Sequence, residues 1–327
     1  GDAATRGFDA RSSSKLFLRL DRGQSYLQYG DFNSGQRDPA VSLGRFNRSL
    51  TGISHHLEKG AVEVNAFASR SRTTQEIVQI RGRGVSGPYR LGTTDIEENS
   101  ERIELVTLDR EVLREKGVFS DEDIEESRNL GTSIELRTVS LARFTDYSVD
   151  YETGEIVFRE PISSLDSNLN PQLIRVTFEQ EREGKRFWVA GVNGQLQVNE
   201  KVSVGAGYAR DENPDNEYQL ASVNATVKIS EKTKLVTEYA LSDSAEEEAA
   251  NDGDGRGDAY RIEVDHRGEN VQGRVYYAKT DSVFENRSAG FGKGRREVGV
   301  RLSLALGDRT RLVTEWLNSR DLRSGDK

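Results

Sequence analysis

The chain has 327 residues, 55 acidic against 46 basic, for a formal net charge of −9. That balance excludes general nucleic-acid binding, which needs a basic face to displace phosphate counterions. Cysteine is absent, which excludes disulfides, thiolate metal sites and a cysteine nucleophile, and no apolar run approaches the roughly 18–20 residues of a transmembrane helix.

In chain order, the dominant signal is period two, the pattern of a strand with one apolar face. The chain opens at Gly1 with neither methionine nor a signal peptide, so a mature piece or an excerpt of a longer protein is expected. Leu16, Leu18 and Leu20 alternate with Phe17 and Arg19. A short turn near Arg22-Gly23 leads to a strand over Ser25–Phe32, and a longer loop spans about 33–47. A strand then runs to Leu57, and Glu58-Lys59-Gly60 turns into Val62, Val64, Ala66 and Ala68. About four strands therefore precede residue 72.

From about 75 to 183 the pattern changes. Strands are predicted around Glu76–Arg81, Arg102–Thr107, Ser133–Ala142 and Gln172–Glu179. A hairpin is predicted over 146–158, with Glu152-Thr153-Gly154 as its turn. Asp121–Arg128 reads as a short acidic helix or a mobile loop. A span of about 110 residues suits a small β-sandwich.

From Arg186 the alternation returns and is cleaner. Trp188, Ala190, Val192, Gly194 and Leu196 stand against Asn193, Gln195 and Gln197; Tyr260, Ile262 and Val264 stand against Arg261, Glu263 and Asp265. About eight strands follow residue 186. Their connections alternate in length: short turns at Asn199-Glu200-Lys201, Ser230-Glu231-Lys232, Arg267-Gly268-Glu269 and Gly307-Asp308-Arg309, longer loops at about 211–217, 243–258 and 281–295. Short turns on one side and long loops on the other are the habit of outer-membrane barrels.

The expected fold is all-β: an antiparallel transmembrane β-barrel, about twelve strands visible, interrupted by a small β-domain. Residues 1–72 and 186–327 supply barrel strands, and 73–185 form the insert. If short turns are periplasmic, the insert occupies an external-loop position. By the same parity the first strand runs inward and the last outward; natural barrels of this kind usually put both termini in the periplasm, so either at least one further strand at each end or an artificial closure of the excerpt is expected.

The insert also resembles a known module. Gly84-Val85-Ser86-Gly87-Pro88-Tyr89-Arg90-Leu91, Asn99-Ser100-Glu101 and Leu105-Val106-Thr107-Leu108-Asp109-Arg110 carry the likeness. Phe144-Thr145-Asp146-Tyr147, Asp150-Tyr151-Glu152-Thr153-Gly154 and Asn168-Leu169-Asn170-Pro171 continue it. Together they resemble a module of large bacterial cell-envelope proteins, where it sits beside barrel strands. The resemblance covers about a third of the chain and implies an envelope location. A barrel interrupted by a β-domain is also similar in organisation, by analogy only, to fimbrial ushers, whose inserted domain plugs the pore.

No catalytic set stands out, and a non-enzymatic role is expected. His55 and His56 are adjacent on a strand, so their rings point to opposite faces. No Gly-x-Ser-x-Gly elbow is present, and Asp121 and Asp123 sit in a charged, loop-like run. Asp252, Asp254 and Asp258, with intervening glycines, form the best candidate for a calcium ion. They lack the closing glutamate of a twelve-residue loop, and a solvated acidic loop is the simpler alternative. Gly82, Gly84 and Gly87 have phosphate-loop spacing but do not lead from a strand into a helix. Arg19, Glu63, Asn65, Arg261, Glu263, Arg274 and Arg301 are expected to face the lumen, because a charge on the lipid side costs a few kcal/mol at the midplane.

The expected role is a channel, translocation pore or surface anchor in the bacterial outer membrane, with the insert as plug or external binding module. Its expected partners are outer-membrane lipid and a translocated substrate or surface ligand, and no organic cofactor is expected. The alternative is a soluble secreted adhesin or stalk. A barrel needs a continuous apolar band about 25 Å tall; an adhesin would leave its faces unequal from strand to strand.

Overall fold

The structure is a computed structural model, and it describes residues 16–35, 40–115, 118, 120, 135–182, 184–245, 255–286, 288, 293–307 and 310–322. The predicted Asp121–Arg128 segment lies outside the described residues.

The first four strands are β1 (Leu18–Arg22), β2 (Ser25–Asn33), β3 (Ser49–Lys59) and β4 (Val62–Ser71). The turns after β1 and β3 pass through Gly23 (φ +64°) and Gly60 (φ +60°), conformations that a Cβ would strain. The inserted region holds β5 (Thr73–Arg81), β6 (Tyr89–Arg90), β7 (Arg102–Leu108), α1 (Arg110–Glu115), β8 (Glu135–Ser140), β9 (Tyr147–Asp150), β10 (Glu155–Phe158) and β11 (Gln172–Glu181). The chain then returns through β12 (Phe187–Gln197), β13 (Val202–Asp211), β14 (Tyr218–Ser230), β15 (Thr233–Ser244), β16 (Arg256–Arg267), β17 (Val271–Thr280), β18 (Arg295–Ala305) and β19 (Arg311–Asp321).

Twelve strands make one antiparallel sheet in the order β1-β2-β3-β4-β12-β13-β14-β15-β16-β17-β18-β19. The expected all-β architecture is present, with four strands before residue 72 and eight after 186. β12 pairs with β4 from Phe187↔Ser71 to Leu196↔Val62, so residues 72–186 leave and re-enter the sheet between neighbouring strands. β1 and β19 form its edges and are not paired with each other among the described residues.

Register puts the apolar set on one face throughout. One row runs Val202, Val227, Leu235, Val264, Val275, Val300 and Trp316 across seven neighbouring strands. These side chains are solvent-facing or half-exposed; Val223 and Ile262 on the same face are 53% and 47% exposed. Along the strands the apolar stretch varies, from about 13 Å on β16 (Tyr260–Val264) to about 26 Å on β12 (Trp188–Leu196), at about 3.3 Å per residue.

The sheet is curled. The backbone of Ser42, seven residues before β3 begins at Ser49, bonds Glu238 on β15, five interstrand steps away. Leu43 packs on residues of β14, β15 and β16, and Phe46 sits between Phe67 of β4 and Tyr218 of β14. Residues 40–48 thus cross the concave side, on the face opposite the apolar rows.

The inserted strands form two smaller sheets, β5-β11-β7-β8 and β6-β10-β9. Their facing sides enclose an apolar core that includes Tyr89, Ile103, Ile156, Ile174, Val176 and Phe178. The other side of the larger sheet carries Gln75, Gln79, Arg175, Glu179 and Glu104 in register, and Val106, Leu108 and Leu173 pack there against Leu113 of α1. The predicted hairpin is β9–β10, reversing through Tyr151–Gly154 with Gly154 at φ +65°. The short helix α1 was not expected from period.

Candidate functional site

The long connections, including the insert, gather at one end of the sheet, and the candidate site is the interior below them. Residues 40–48 fill its upper part. Leu43 is fully buried against Leu220, Ala240, Ala259 and Phe284. Phe46 stacks between Phe67 (5.9 Å) and Tyr218 (6.5 Å). Gly44 lies so close to β14 that a Cβ there would stand 2.1 Å from Ser222 Oγ and 2.2 Å from its Cβ.

One carboxylate holds this loop. Glu238 accepts the backbone N–H of Ser42 (3.0 Å), the Ser42 hydroxyl (3.0 Å) and the backbone N–H of Gly44 (2.8 Å). Arg261 donates to Ser42 Oγ at 2.8 Å and lies 3.6 Å from Glu238. Arg261 also pairs with Glu263, which accepts from Arg274 Nε at 2.7 Å. Glu238 and Arg261 are almost wholly buried. Such charges are stable only when paired and hydrogen-bonded, as here.

A second network joins the inner loop to the insert. Arg48 forks onto Glu179 of β11 with Nε and Nη2 (2.8 and 2.6 Å), bonds Asp211 of β13 through Nη1, and donates to the carbonyl of Thr73. Burial alone would lower the Arg48 pKa; Glu179, then Asp211, outweigh it and hold the pKa above its ordinary value. Asn213 to Thr74 (3.2 Å), Arg182 to Asp215 (2.7 Å) and Ser49 to the carbonyl of Ser100 (3.2 Å) tie the same end. Between these contacts lies a cavity of about 240 Å³, walled by Phe46, Arg48, Tyr218, Asp211, Gln75 and Glu285 among others.

Toward the short turns the same face is open and polar. His56 Nδ1 bonds Asn65 Oδ1 at 2.7 Å, Asn65 donates to Asn193 at 3.1 Å, and Gln195 donates to Asn224 at 3.2 Å. Tyr26 stacks on His56 at 5.2 Å.

The register carries Arg19, Glu63, Asn65, Arg261, Glu263, Arg274 and Arg301 on this one face. Arg261, Glu263 and Arg274 share one network, and Asn65 donates to Glu63 at 3.3 Å in a second. Arg19 pairs with Asp21 and lies 4.0 Å over the Tyr26 ring. Glu63 lies 3.9 Å from His56, and Arg301 pairs with Glu315 on β19 at 2.8 Å. Of the calcium candidates, Asp252 and Asp254 lie outside the described residues. Asp258 is on β16, on the face of Tyr260 and Ile262. His55 and His56 point to opposite faces of β3, and His266 bonds Thr233 on β15 at 2.8 Å.

Sequence reasoning missed Glu238 and Arg48. Glu238 was within reach, because it alternates with Tyr239 and Thr237 in a clear strand. Arg48 had no such signal, since it ends a loop without period.

No family model matches the chain, and no curated protein matches it. Among solved structures it is similar to OccK11 (OpdR) of Pseudomonas aeruginosa, with 10% identity and a TM-score of 0.42 over 94% of this chain. The chain spans 64% of the length of that one.

Proposed function

We propose that this chain is the wall of an outer-membrane β-barrel channel, with the insert seated as a cap on its long-loop end. One observation carries the reading: the strands from β12 to β18 turn an apolar row outward, while their inward rows hold the buried charges and amides among small residues and a few apolar ones such as Leu220. In water such a surface is a liability; in lipid it is the required one, and the inward charges sit where hydration or pairing satisfies them. In lipid, the free edges of β1 and β19 would need strand partners, because each unpaired backbone group there costs several kcal/mol. The cap role is supported by the buried fork from Arg48 to Glu179, which fastens the Glu179 side of the inserted sheet to the inner loop. The traffic of such a channel would be small and hydrophilic, limited by residues 40–48.

The test is the full-length parent protein expressed in a Gram-negative host. It is expected to fractionate with outer membranes and to run as a heat-modifiable band on gels. A soluble protein with the same β-sheet signal would overturn the reading and leave a secreted adhesin in its place.

A further inference from the structure

A second cavity, of about 690 Å³, opens on the insert and shares no lining residue with the one beside Arg48. Arg81, Arg83 and Arg90 line it with Ser164, and no carboxylate does. On a chain of net charge −9 this is a local reversal of sign.

The fold makes the three arginines converge. β5 ends at Arg81, and the chain is then pinned by Gly82 N–H to the carbonyl of Gln172 (3.1 Å) and Gly84 N–H to that of Ile162 (2.7 Å). Positive φ at Gly84 (+73°) and Gly87 (+136°) lets it double back, so that β6 returns beside the segment it left. At Gly82 a Cβ would stand 2.2 Å from the carbonyl oxygen of Ser163, so no side chain fits. The Tyr89 hydroxyl accepts from Arg83 N–H (3.1 Å) and donates to the carbonyl of Val85 (3.0 Å).

The guanidinium groups of Arg83 and Arg90 are partly held and partly unused. Arg83 lies 4.6 Å from the Tyr89 ring centre and donates Nη2 to the Pro88 carbonyl at 2.9 Å. Its Nε and Nη1 meet no described residue within hydrogen-bond distance. Arg90 donates Nε to Glu155 at 2.9 Å, and its two terminal nitrogens likewise bond no described residue. Arginine forks match the paired oxygens of a phosphate, and the volume lies in the range of small-ligand sites.

We propose that this cavity binds a phosphate-bearing ligand, a phosphomonoester or diphosphate, through Arg81, Arg83 and Arg90. The glycine spacing of the segment resembles that of a phosphate loop, yet the mechanism differs. Side-chain guanidinium groups supply the positive charge, where a phosphate loop uses backbone amides and a helix terminus. The site does not depend on the membrane reading.

The probe is pyrophosphate, titrated calorimetrically into the solubilised full chain at low ionic strength. Saturable binding is expected, weakened about tenfold or more in an Arg83→Gln/Arg90→Gln variant and unchanged in Arg137→Gln, an exposed position on β8. An Arg83→Lys/Arg90→Lys variant, which keeps the charge, should bind between the two. Thermal melts of each variant confirm folding. Absence of saturable binding, or equal weakening by Arg137→Gln, would overturn the site. Vesicles of phosphatidylcholine with and without phosphatidic acid separate the sources. Recruitment by phosphatidic acid that the double variant loses assigns a lipid headgroup, and pyrophosphate binding without recruitment assigns a soluble phosphate; both support the site.

Discussion

At Gly44 the packing is decided by one missing atom. A Cβ there overlaps both side-chain atoms of Ser222, and rotating the hydroxyl clears only one of them. Gly44→Ala is therefore expected to destabilise the chain by about 1–3 kcal/mol, the usual cost of overpacking, read by urea unfolding. Adding Ser222→Gly should restore most of that loss. Glu101 of the insert is a different single-residue case. Its carboxyl is almost wholly buried and accepts the Tyr151 hydroxyl at 2.7 Å. Burial raises its pKa above the ordinary 4.5, against the opposing pull of Tyr151 and Arg143. The folded state thus holds its proton longer than the unfolded state. Stability from this group is full below the unfolded pKa and is lost as pH rises through the folded one. Glu101→Gln should flatten that loss as pH rises from below the ordinary carboxylate range to neutrality and be the more stable form at neutral pH, as seen in thermal melts from acid to neutral pH.

For a whole strand, period two settles which face is apolar but not what lies against it. Ile262, near the middle of β16, distinguishes lipid from water. In a bilayer, Ile262→Arg is expected to cost about 2–4 kcal/mol in folding equilibria measured in vesicles. On a water-facing surface the same change would stay within about 0.5 kcal/mol, and such a result would remove the membrane assignment of this face. The strands were legible because alternation is a local property of the pleat. That Arg19, Glu63, Asn65, Arg261, Glu263, Arg274 and Arg301 share one face could be written from it for the same reason. The helix α1 escaped, since six residues hold too few turns for a period to emerge. Glu238 was visible as an inward strand residue, but its three donors from residues 42 and 44 were not.

Taken as one molecule, the concave interior is filled from above and open below. Residues 40–48, residues 281–286 and the Glu179 side of the inserted sheet meet at the long-loop end, and a lattice of Asn, Gln and charged side chains lines the rest. Deleting residues 73–185 and joining the flanking strands with a short linker should raise single-channel conductance in planar bilayers if the insert caps the channel. Unchanged conductance would make it an external module. The inner loop should survive that deletion, because Glu238, Arg261 and Asp211 all belong to the remaining sheet.

Alternation, turn chemistry and connection length lie in the sequence itself. Side-chain direction in a strand follows from local sterics, and a glycine turn follows from φ. From these alone come the all-β class, four strands before residue 72, eight after 186, and the apolar face of each. What only the tertiary structure decided are contacts between residues far apart in the chain: Ser42 with Glu238, Arg48 with both Glu179 and Asp211, and three arginines around one cavity. These depend on how strongly the sheet curls and where each loop folds back. Both are set by summed packing over many strands, which no local period encodes.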